Sequence, residues 1–200
     1  KERRKKRGEE WKVESANNDL LQHLIDAGLS DDLIRDQMLT MLIAGHETVA
    51  SALTWAWHLL AANPIAEAAL HRELLITLGG RTPGFDDLPR LPYTRAVFDE
   101  ALRLYPPAWL ITRKALAADQ VGGHPIPAGA LLIISPFVVH RRPAHWPQPE
   151  QFRPERFLGD QATTAPRFAY LPFGGGPRQC IGNVFALVEG TLVLATIAQR

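Results

Sequence analysis

The chain has 200 residues, of which 46% are hydrophobic and 22% charged, and this composition excludes an intrinsically disordered protein. Its 22 Lys and Arg residues balance 21 Asp and Glu residues to a formal net charge of +1, which argues against a nucleic-acid-binding protein. The single cysteine, Cys180, excludes an intrachain disulfide and a multi-cysteine zinc site.

A long helix is the first strong prediction along the chain. Ser30 is a favourable N-cap residue, and an apolar pattern at helical spacing follows it as far as Asn63-Pro64. From Met38 onward the pattern is apolar on nearly all sides, which predicts a helix in the protein interior. A second helix is predicted from Pro64 to Leu78, where Gly79-Gly80 ends it.

The second half of the chain is predicted to be less regular. It comprises a third helix over residues 94–105, short strands over residues 109–115 and 130–134, an irregular region rich in Pro and Gly over residues 141–177, and a last helix that begins near Cys180. The overall prediction is a mainly α protein with small β elements. A long irregular segment in a compact domain is usually functional.

The glycine-rich segment 173–182 carries the strongest chemical signal. Three successive glycines allow backbone amides to point inward, and a following helix would add the positive end of its dipole. Both effects stabilise an anion, so Cys180 is predicted to form a thiolate site, with Arg178 able to pair with a carboxylate of a ligand. The residues alone leave open a phosphate-binding loop, a buried inert cysteine and a cysteine hydrolase, although the Gly-Lys-Ser/Thr of a P-loop is absent.

A second polar constellation interrupts the long apolar helix. It consists of Ala44, Gly45, His46, Glu47 and Thr48. Gly45 would allow close approach of a bulky flat ligand, and Glu47 beside Thr48 could relay protons. The alternative is a packing defect in a core helix, with Glu47 in a salt bridge.

Two further segments contain charged residues that indicate a function only when they are considered together. Glu100 and Arg103 share one face of the third helix, although most such pairs are exposed and contribute little. The irregular region contains Pro154–Phe157, from which Arg156 could reach a distant carboxylate.

Taken together and in this order, these segments resemble the cytochrome P450 family. Phe173, Gly176, Arg178, Cys180 and Gly182 match its haem-binding signature, Phe-x-x-Gly-x-Arg-x-Cys-x-Gly. The polar constellation of the long helix is similar to the family's oxygen-activation motif. Glu100 and Arg103 match its Glu-x-x-Arg pair, and Pro154–Phe157 matches its Pro-Glu-Arg-Phe element.

The resemblance implies a fold and a set of site residues. The fold would be the C-terminal part of the cytochrome P450 fold, one partial domain over residues 1–200 without the N-terminal half and the extreme C-terminus. Cys180 would be the axial thiolate ligand of the iron of haem b. The other implied haem contacts are Phe173, Gly174, Gly176, Arg178, Gly182, Arg113, Ala44 and Gly45. Thr48 and Glu47 would be catalytic, and Glu100, Arg103 and Arg156 would form a structural network.

The implied function is a haem-thiolate monooxygenase that inserts one atom of O₂ into an apolar substrate. Electrons would come from a separate ferredoxin, flavodoxin or reductase, because the sequence contains no flavin or iron–sulfur motif. The alternatives are a non-catalytic fragment with weak or no haem binding, and an isomerase or dehydratase of the same fold. Since neither a signal peptide nor an apolar run of about 20 residues is visible, we expect a cytoplasmic protein; any membrane anchor would lie in an N-terminal half outside this chain.

Overall fold

The computed structural model describes residues 19–159 and 166–200, and it confirms the prediction of a mainly α protein with small β elements. The helices are α1 (Leu20–Asp26), α2 (Asp31–Ala62), α3 (Pro64–Leu78), α4 (Pro92–Leu104), α5 (Pro136–Val139) and α6 (Asn183–Ile197). The strands are β1 (Ile111–Lys114), β2 (Asp119–Val121), β3 (His124–Ile126) and β4 (Leu131–Ile134). Two compact units, residues 1–47 and 48–200, are distinguished by their internal contacts. A single partial domain over residues 1–200 therefore stays a prediction.

The first unit contains α1 and the first half of α2. Ser30 caps α2 as predicted, because its hydroxyl oxygen accepts a hydrogen bond from the Leu33 amide at 3.3 Å. The predicted burial of this half is wrong, since Leu42 and Ile43 are 66% and 63% exposed. A helix is buried only where another element covers it, and the described residues of this unit do not cover these side chains. The apolar sequence predicts that another element covers this surface, but it does not show which element does so.

The second unit is built around α4. From Ala96 to Leu104 every residue of α4 is buried, including the charged Asp99, Glu100 and Arg103. Its apolar side chains pack in one cluster with those of α3, α6 and the second half of α2, among them Ala56, Leu60, Leu70, Leu74, Val97, Phe98, Ala101, Leu194 and Ala195. The helix also contacts the 3₁₀ turn Pro154–Phe157. Charged groups at the centre of the unit therefore need partners from the irregular region.

Helix α4 begins at Pro92, two residues before the predicted start. Proline is well tolerated at the first position of a helix, where no intrahelical partner exists for an amide hydrogen. The next two amides, of Tyr93 and Thr94, donate to the carboxylate of Glu73 on α3 at 2.7 and 2.8 Å. The cap comes from 20 residues away along the chain, so local sequence patterns do not reveal it.

The two predicted strands pair as an antiparallel ladder. Strand β1 aligns with β4, so that Ile111 faces Ile134 and Arg113 faces Leu132. The hairpin β2–β3 was not predicted and lies between them. Its two-residue turn is Gly122-Gly123, and both glycines adopt positive φ, +56° and +83°, as a tight hairpin turn requires.

The remaining predictions concern the irregular region and the membrane. Residues 141–177 contain little regular structure in their described part, as predicted, apart from 3₁₀ turns such as Pro154–Phe157. None of the helices described here combines the length and the apolar composition that crossing a bilayer demands.

A close approach between α4 and α6 generates a first prediction. A methyl group on Gly190 would overlap the ring of Phe98, which is itself buried. Gly190→Ala should therefore lower the free energy of unfolding by about 1–3 kcal/mol, measured by urea denaturation. In a Phe98→Leu background the same change should cost much less, because the smaller side chain leaves space. Equal costs in the two backgrounds would contradict this account of the contact.

Candidate functional site

The cysteine lies in a tightly turned segment, residues 171–182, which we call the Cys loop. Gly174 and Gly176 adopt positive φ angles of +71° and +72°, a conformation that side-chain-bearing residues rarely tolerate. The Cys180 amide donates to the Phe173 carbonyl at 2.9 Å and closes the loop. Phe173 is partly buried against the apolar core of the second unit, and the Cys180 side chain is exposed. The loop therefore presents a thiol outward from a fixed backbone, and this excludes a buried inert cysteine.

The helix after the cysteine begins later than predicted. Helix α6 starts at Asn183, and Gly182 occupies its N-cap position. Cys180 thus lies two residues before the cap, in the loop, because its amide is engaged by Phe173 rather than by a helical turn. The effect of a helix dipole declines within the first turn, so the loop amides gain importance as the source of positive potential near the sulfur.

Strand β1 runs beside the Cys loop. A Cβ atom on Gly174 would lie 3.7 Å from Cδ1 of Ile111, which places the two segments in contact. Arg113 lies two residues further along β1, and alternate residues of a strand share one face. Its guanidinium donates to the neighbouring Thr112 carbonyl at 2.8 Å, and the residue is exposed.

The surroundings of Cys180 fit a flat apolar ligand that binds through iron and carries carboxylates. Close to Cys180 in the sequence, the apolar side chains of Ile181, Val184 and Phe185 are 84%, 68% and 66% exposed. Apolar side chains on a surface of this kind mark a ligand or partner site. Arg178 is exposed on the Cys loop and Arg113 on the adjacent strand, so both guanidinium groups can meet carboxylates. Among the described residues no group of three or more His, Cys, Asp and Glu side chains could hold a metal ion by itself.

The predicted charge network forms a fully buried ion pair at its centre. Glu100 and Arg103 are both 0% exposed, so the alternative of a solvent-exposed pair does not apply. Nε of Arg103 donates to Oε2 of Glu100 at 2.6 Å, and Nη2 donates to Oε1 at 2.8 Å. Such a two-point pair compensates the desolvation of both charges better than a single contact does.

The irregular region completes this network. Nε of Arg156 lies 3.3 Å from Oε1 of Glu100, and the Arg153 amide donates to the same oxygen at 2.9 Å. Arg103 also donates to three backbone carbonyls, those of His140 at 2.9 Å, Pro149 at 2.8 Å and Gln151 at 3.2 Å. The structure thus brings Arg156 to the pair of Glu100 and Arg103, although Arg156 is 56 residues from Glu100 in the sequence.

His140 is buried beside this network, and the sequence does not predict a role for it. Its Nε2 accepts a hydrogen bond from the Leu171 amide at 2.9 Å, and its Nδ1 lies 3.1 Å from the Arg103 carbonyl oxygen. The pKa of His140 is lowered to about 4, chiefly by burial; the hydrogen bond to the Arg103 carbonyl opposes this shift, and the positive charges of Arg103 and Arg141 contribute to it. A histidine in a proline-rich segment gives no local signal of such burial, so only the fold identifies it.

The residues of the long-helix motif lie in order along α2, with residues 44–47 in the first unit and Thr48 in the second. Ala44, Glu47 and Thr48 are exposed, and Gly45 is half-buried. A Cβ atom on Gly45 would have no neighbour within 4 Å among the described residues. The packing defect that the sequence left open does not describe this part of the helix, because exposed side chains dominate it.

Comparison with known proteins decides the family. A family model described as Cytochrome P450 matches residues 1–200. The chain belongs to the cytochrome P450 family. Cyclooctatin synthase of Streptomyces melanosporofaciens is 55% identical over 172 residues, which are 86% of this chain and 38% of that protein.

Two other relatives match the chain over similar shares of its length. Cyclooctat-9-en-7-ol 5-monooxygenase of the same organism is 47% identical, over 92% of this chain and 42% of that protein. Pentalenene oxygenase of Streptomyces avermitilis is 41% identical, over 94% of this chain and 43% of that protein. The chain therefore spans less than half of the length of these relatives.

The buried ion pair generates a second prediction. Glu100→Gln should lower the free energy of unfolding by about 3–5 kcal/mol and reduce haem incorporation, because Arg103 would keep its buried charge without a counterion. Urea denaturation and haem content measure these two effects. Glu150→Gln is the matched control, since the Glu150 carboxylate is 71% exposed and pairs with Arg141 at 3.0 Å. We expect the control to change stability by less than about 1 kcal/mol. Unchanged haem incorporation in Glu100→Gln would contradict the role of the network.

The low pKa of His140 generates a third prediction. The unfolded chain binds a proton near the ordinary pKa of 6.5, and the folded chain binds it only near 4. Stability from this residue is therefore complete above pH 6.5 and is lost as the pH falls towards 4. Between pH 7 and pH 4 the unfolding free energy of the wild type should fall by about 3 kcal/mol more than that of His140→Gln. Parallel pH profiles in urea denaturation would exclude a buried neutral His140.

Proposed function

We propose that the protein to which this chain belongs is a haem-thiolate monooxygenase. The observation that carries the proposal is the exposed Cys180 at the end of a glycine-shaped loop, in a member of the cytochrome P450 family. The haem b group would supply the activation of O₂, and a thiolate ligand favours cleavage of the O–O bond by donating electron density to iron. Residues of this chain would bind the group, exclude water and deliver protons.

Binding of the haem is assigned to the Cys loop and to β1. The Cys180 sulfur would bind the haem iron, and loop amides would moderate its electron donation. Gly174, Gly176 and Gly182 would give the loop its shape, while Phe173 would shield the sulfur from water. Arg178 and Arg113 would pair with the propionates, for which the planar guanidinium group is well suited.

The handling of O₂ and substrate is assigned to the motif on α2. Ala44 and Gly45 would leave room for O₂ and substrate. The Thr48 hydroxyl would hold the reacting oxygen in a hydrogen bond, and the Glu47 carboxylate would help to move protons towards it.

The substrate is proposed to be mostly hydrocarbon. Trp109 and Leu110 follow α4 with 59% and 38% exposure, so apolar surface is available on the segment that leads into β1. The names of two relatives point in the same direction, because one oxygenates pentalenene and the other cyclooctat-9-en-7-ol. The electrons would come from a separate donor protein, since the sequence holds no flavin or iron–sulfur motif.

Isotope labelling tests the reaction class directly. The full-length protein would be supplied with a ferredoxin and its reductase, isotopically labelled O₂, and pentalenene or cyclooctat-9-en-7-ol as probe substrates. We expect a product that gains one labelled oxygen atom from O₂. A product whose added oxygen comes from water, or a product of unchanged composition, would contradict monooxygenation.

The proposed role of Thr48 generates a fourth prediction. Thr48→Ala should retain haem but release more hydrogen peroxide per NADPH consumed, because proton delivery is impaired. Thr54→Ala is the matched control, since Thr54 lies on the same helix and its hydroxyl donates to the Ala50 carbonyl at 2.8 Å. The control should give the peroxide yield of the wild type. Equal yields from Thr48→Ala and the wild type would remove Thr48 from the mechanism.

A further inference from the structure

We propose that His140 is a positioning residue for the Cys loop: its neutral imidazole ties the Leu171 amide to the buried ion-pair network on α4. The inference rests on the proposed function in so far as it treats Cys180 as the haem ligand. It gives a role to a residue that lies outside the sequence motifs. The pairing of Glu100 with its arginines does not explain that role.

The hydrogen bonds of His140 require one protonation state. A backbone amide only donates, so Nε2 must accept from Leu171, and the proton of the neutral ring must lie on Nδ1. A backbone carbonyl only accepts, so Nδ1–H donates to the Arg103 oxygen at 3.1 Å. Both bonds lie in the buried interior, where an unpaired donor or acceptor is costly.

His140 and Arg103 hold each other through a reciprocal pair of bonds. Nη1 of Arg103 donates to the His140 carbonyl at 2.9 Å, while the His140 ring donates to the Arg103 carbonyl. The guanidinium of Arg103 is in turn fixed by Glu100 at 2.6 and 2.8 Å. The imidazole is therefore bonded to a residue whose own side chain is held by a buried two-point ion pair.

The other end of the imidazole contacts the segment that leads into the Cys loop. Residues 169–171 are each hydrogen-bonded to a side chain outside the Cys loop. Trp146 Nε1 donates to the Ala169 carbonyl at 3.1 Å, Tyr170 donates from its hydroxyl to Asp99 at 3.0 Å, and Leu171 donates to His140 at 2.9 Å. Of these, only the bond to His140 acts on the backbone of the Cys loop itself.

From Leu171 the effect can reach Cys180 through short backbone bonds. The Leu171 carbonyl accepts from the Gly174 amide at 3.1 Å, and Phe173 accepts from the Cys180 amide at 2.9 Å. Loss of the His140 bond should thus loosen the loop at both points. The proposal differs from a general packing role, because it depends on one ring nitrogen, Nε2, rather than on the presence of a ring.

Two substitutions separate the two bonds of the ring. In His140→Gln the side-chain amide lies near the position of Nε2 and can still accept from Leu171. In His140→Asn it lies near the position of Nδ1, so it can donate to Arg103 but does not reach Leu171. Both variants remain polar and uncharged, and each serves as the control for the other.

The experiment uses the full-length haem-loaded protein and three readouts. In His140→Asn, hydrogen exchange of the Leu171 amide should accelerate about tenfold. Exchange of the Cys180 amide should accelerate too, although its own partner is unchanged. Part of the reduced CO complex should shift from the strongly red-shifted Soret band of a thiolate-bound haem to an ordinary haem–CO band. His140→Gln should match the wild type in all three.

The outcomes separate this inference from the proposed function. Equal behaviour of the two variants, or faster exchange at Leu171 with no change at Cys180, would overturn the positioning role. A wild type without the red-shifted band would overturn the haem-thiolate assignment instead, and the contrast in Cys180 exchange would still decide the role of His140. If neither variant folds, ¹⁵N shifts of the wild-type imidazole decide: a proton on Nε2 would contradict the proposal, and a proton on Nδ1 would support it.

Discussion

The hydrogen bonds and ion pairs of the buried Glu100 carboxylate are the interactions on which the rest of the second unit depends. Its two oxygens accept from Arg103, Arg156 and the Arg153 amide, and no part of the side chain is exposed. Burying these charges is costly, so the arrangement persists only if every partner is in place. That requirement specifies the path of the irregular region, which has few regular elements of its own. Carbonyl groups at residues 140, 149 and 151 are held by the same Arg103 guanidinium.

This network connects the helical core with the cysteine. His140, Trp146 and Asp99 each hold one of the residues 169–171, and the last of these, Leu171, begins the Cys loop. The glycines at positive φ then turn the backbone of the loop that ends in the exposed Cys180. A rigid support beneath an exposed thiol is what a protein requires if its sulfur is to bind iron in one geometry.

The sequence predicts those features that depend on neighbouring residues. Helix α2 has its Ser30 cap and α3 its Gly79 stop, and the pattern locates both. It does not reveal the start of α4 at Pro92, because Glu73 caps it from another helix. The burial of His140 and the two-point pairing of Glu100 with Arg103 likewise arise from tertiary contacts. For the candidate site, the motif order of a known family supplied what single residues could not, and the roles of individual residues stay predictions.

The visible spectrum of the reduced, CO-bound protein tests the central claim most directly. It should be recorded both on these 200 residues and on the full-length protein. The account predicts a strongly red-shifted Soret band for the full-length protein, because the Cys180 thiolate would be a ligand of the haem iron. An ordinary haem–CO band would mean that Cys180 is protonated or displaced, and it would contradict the account. A red-shifted band from the full-length protein alone would show that the 200 residues carry the motifs without the complete haem site.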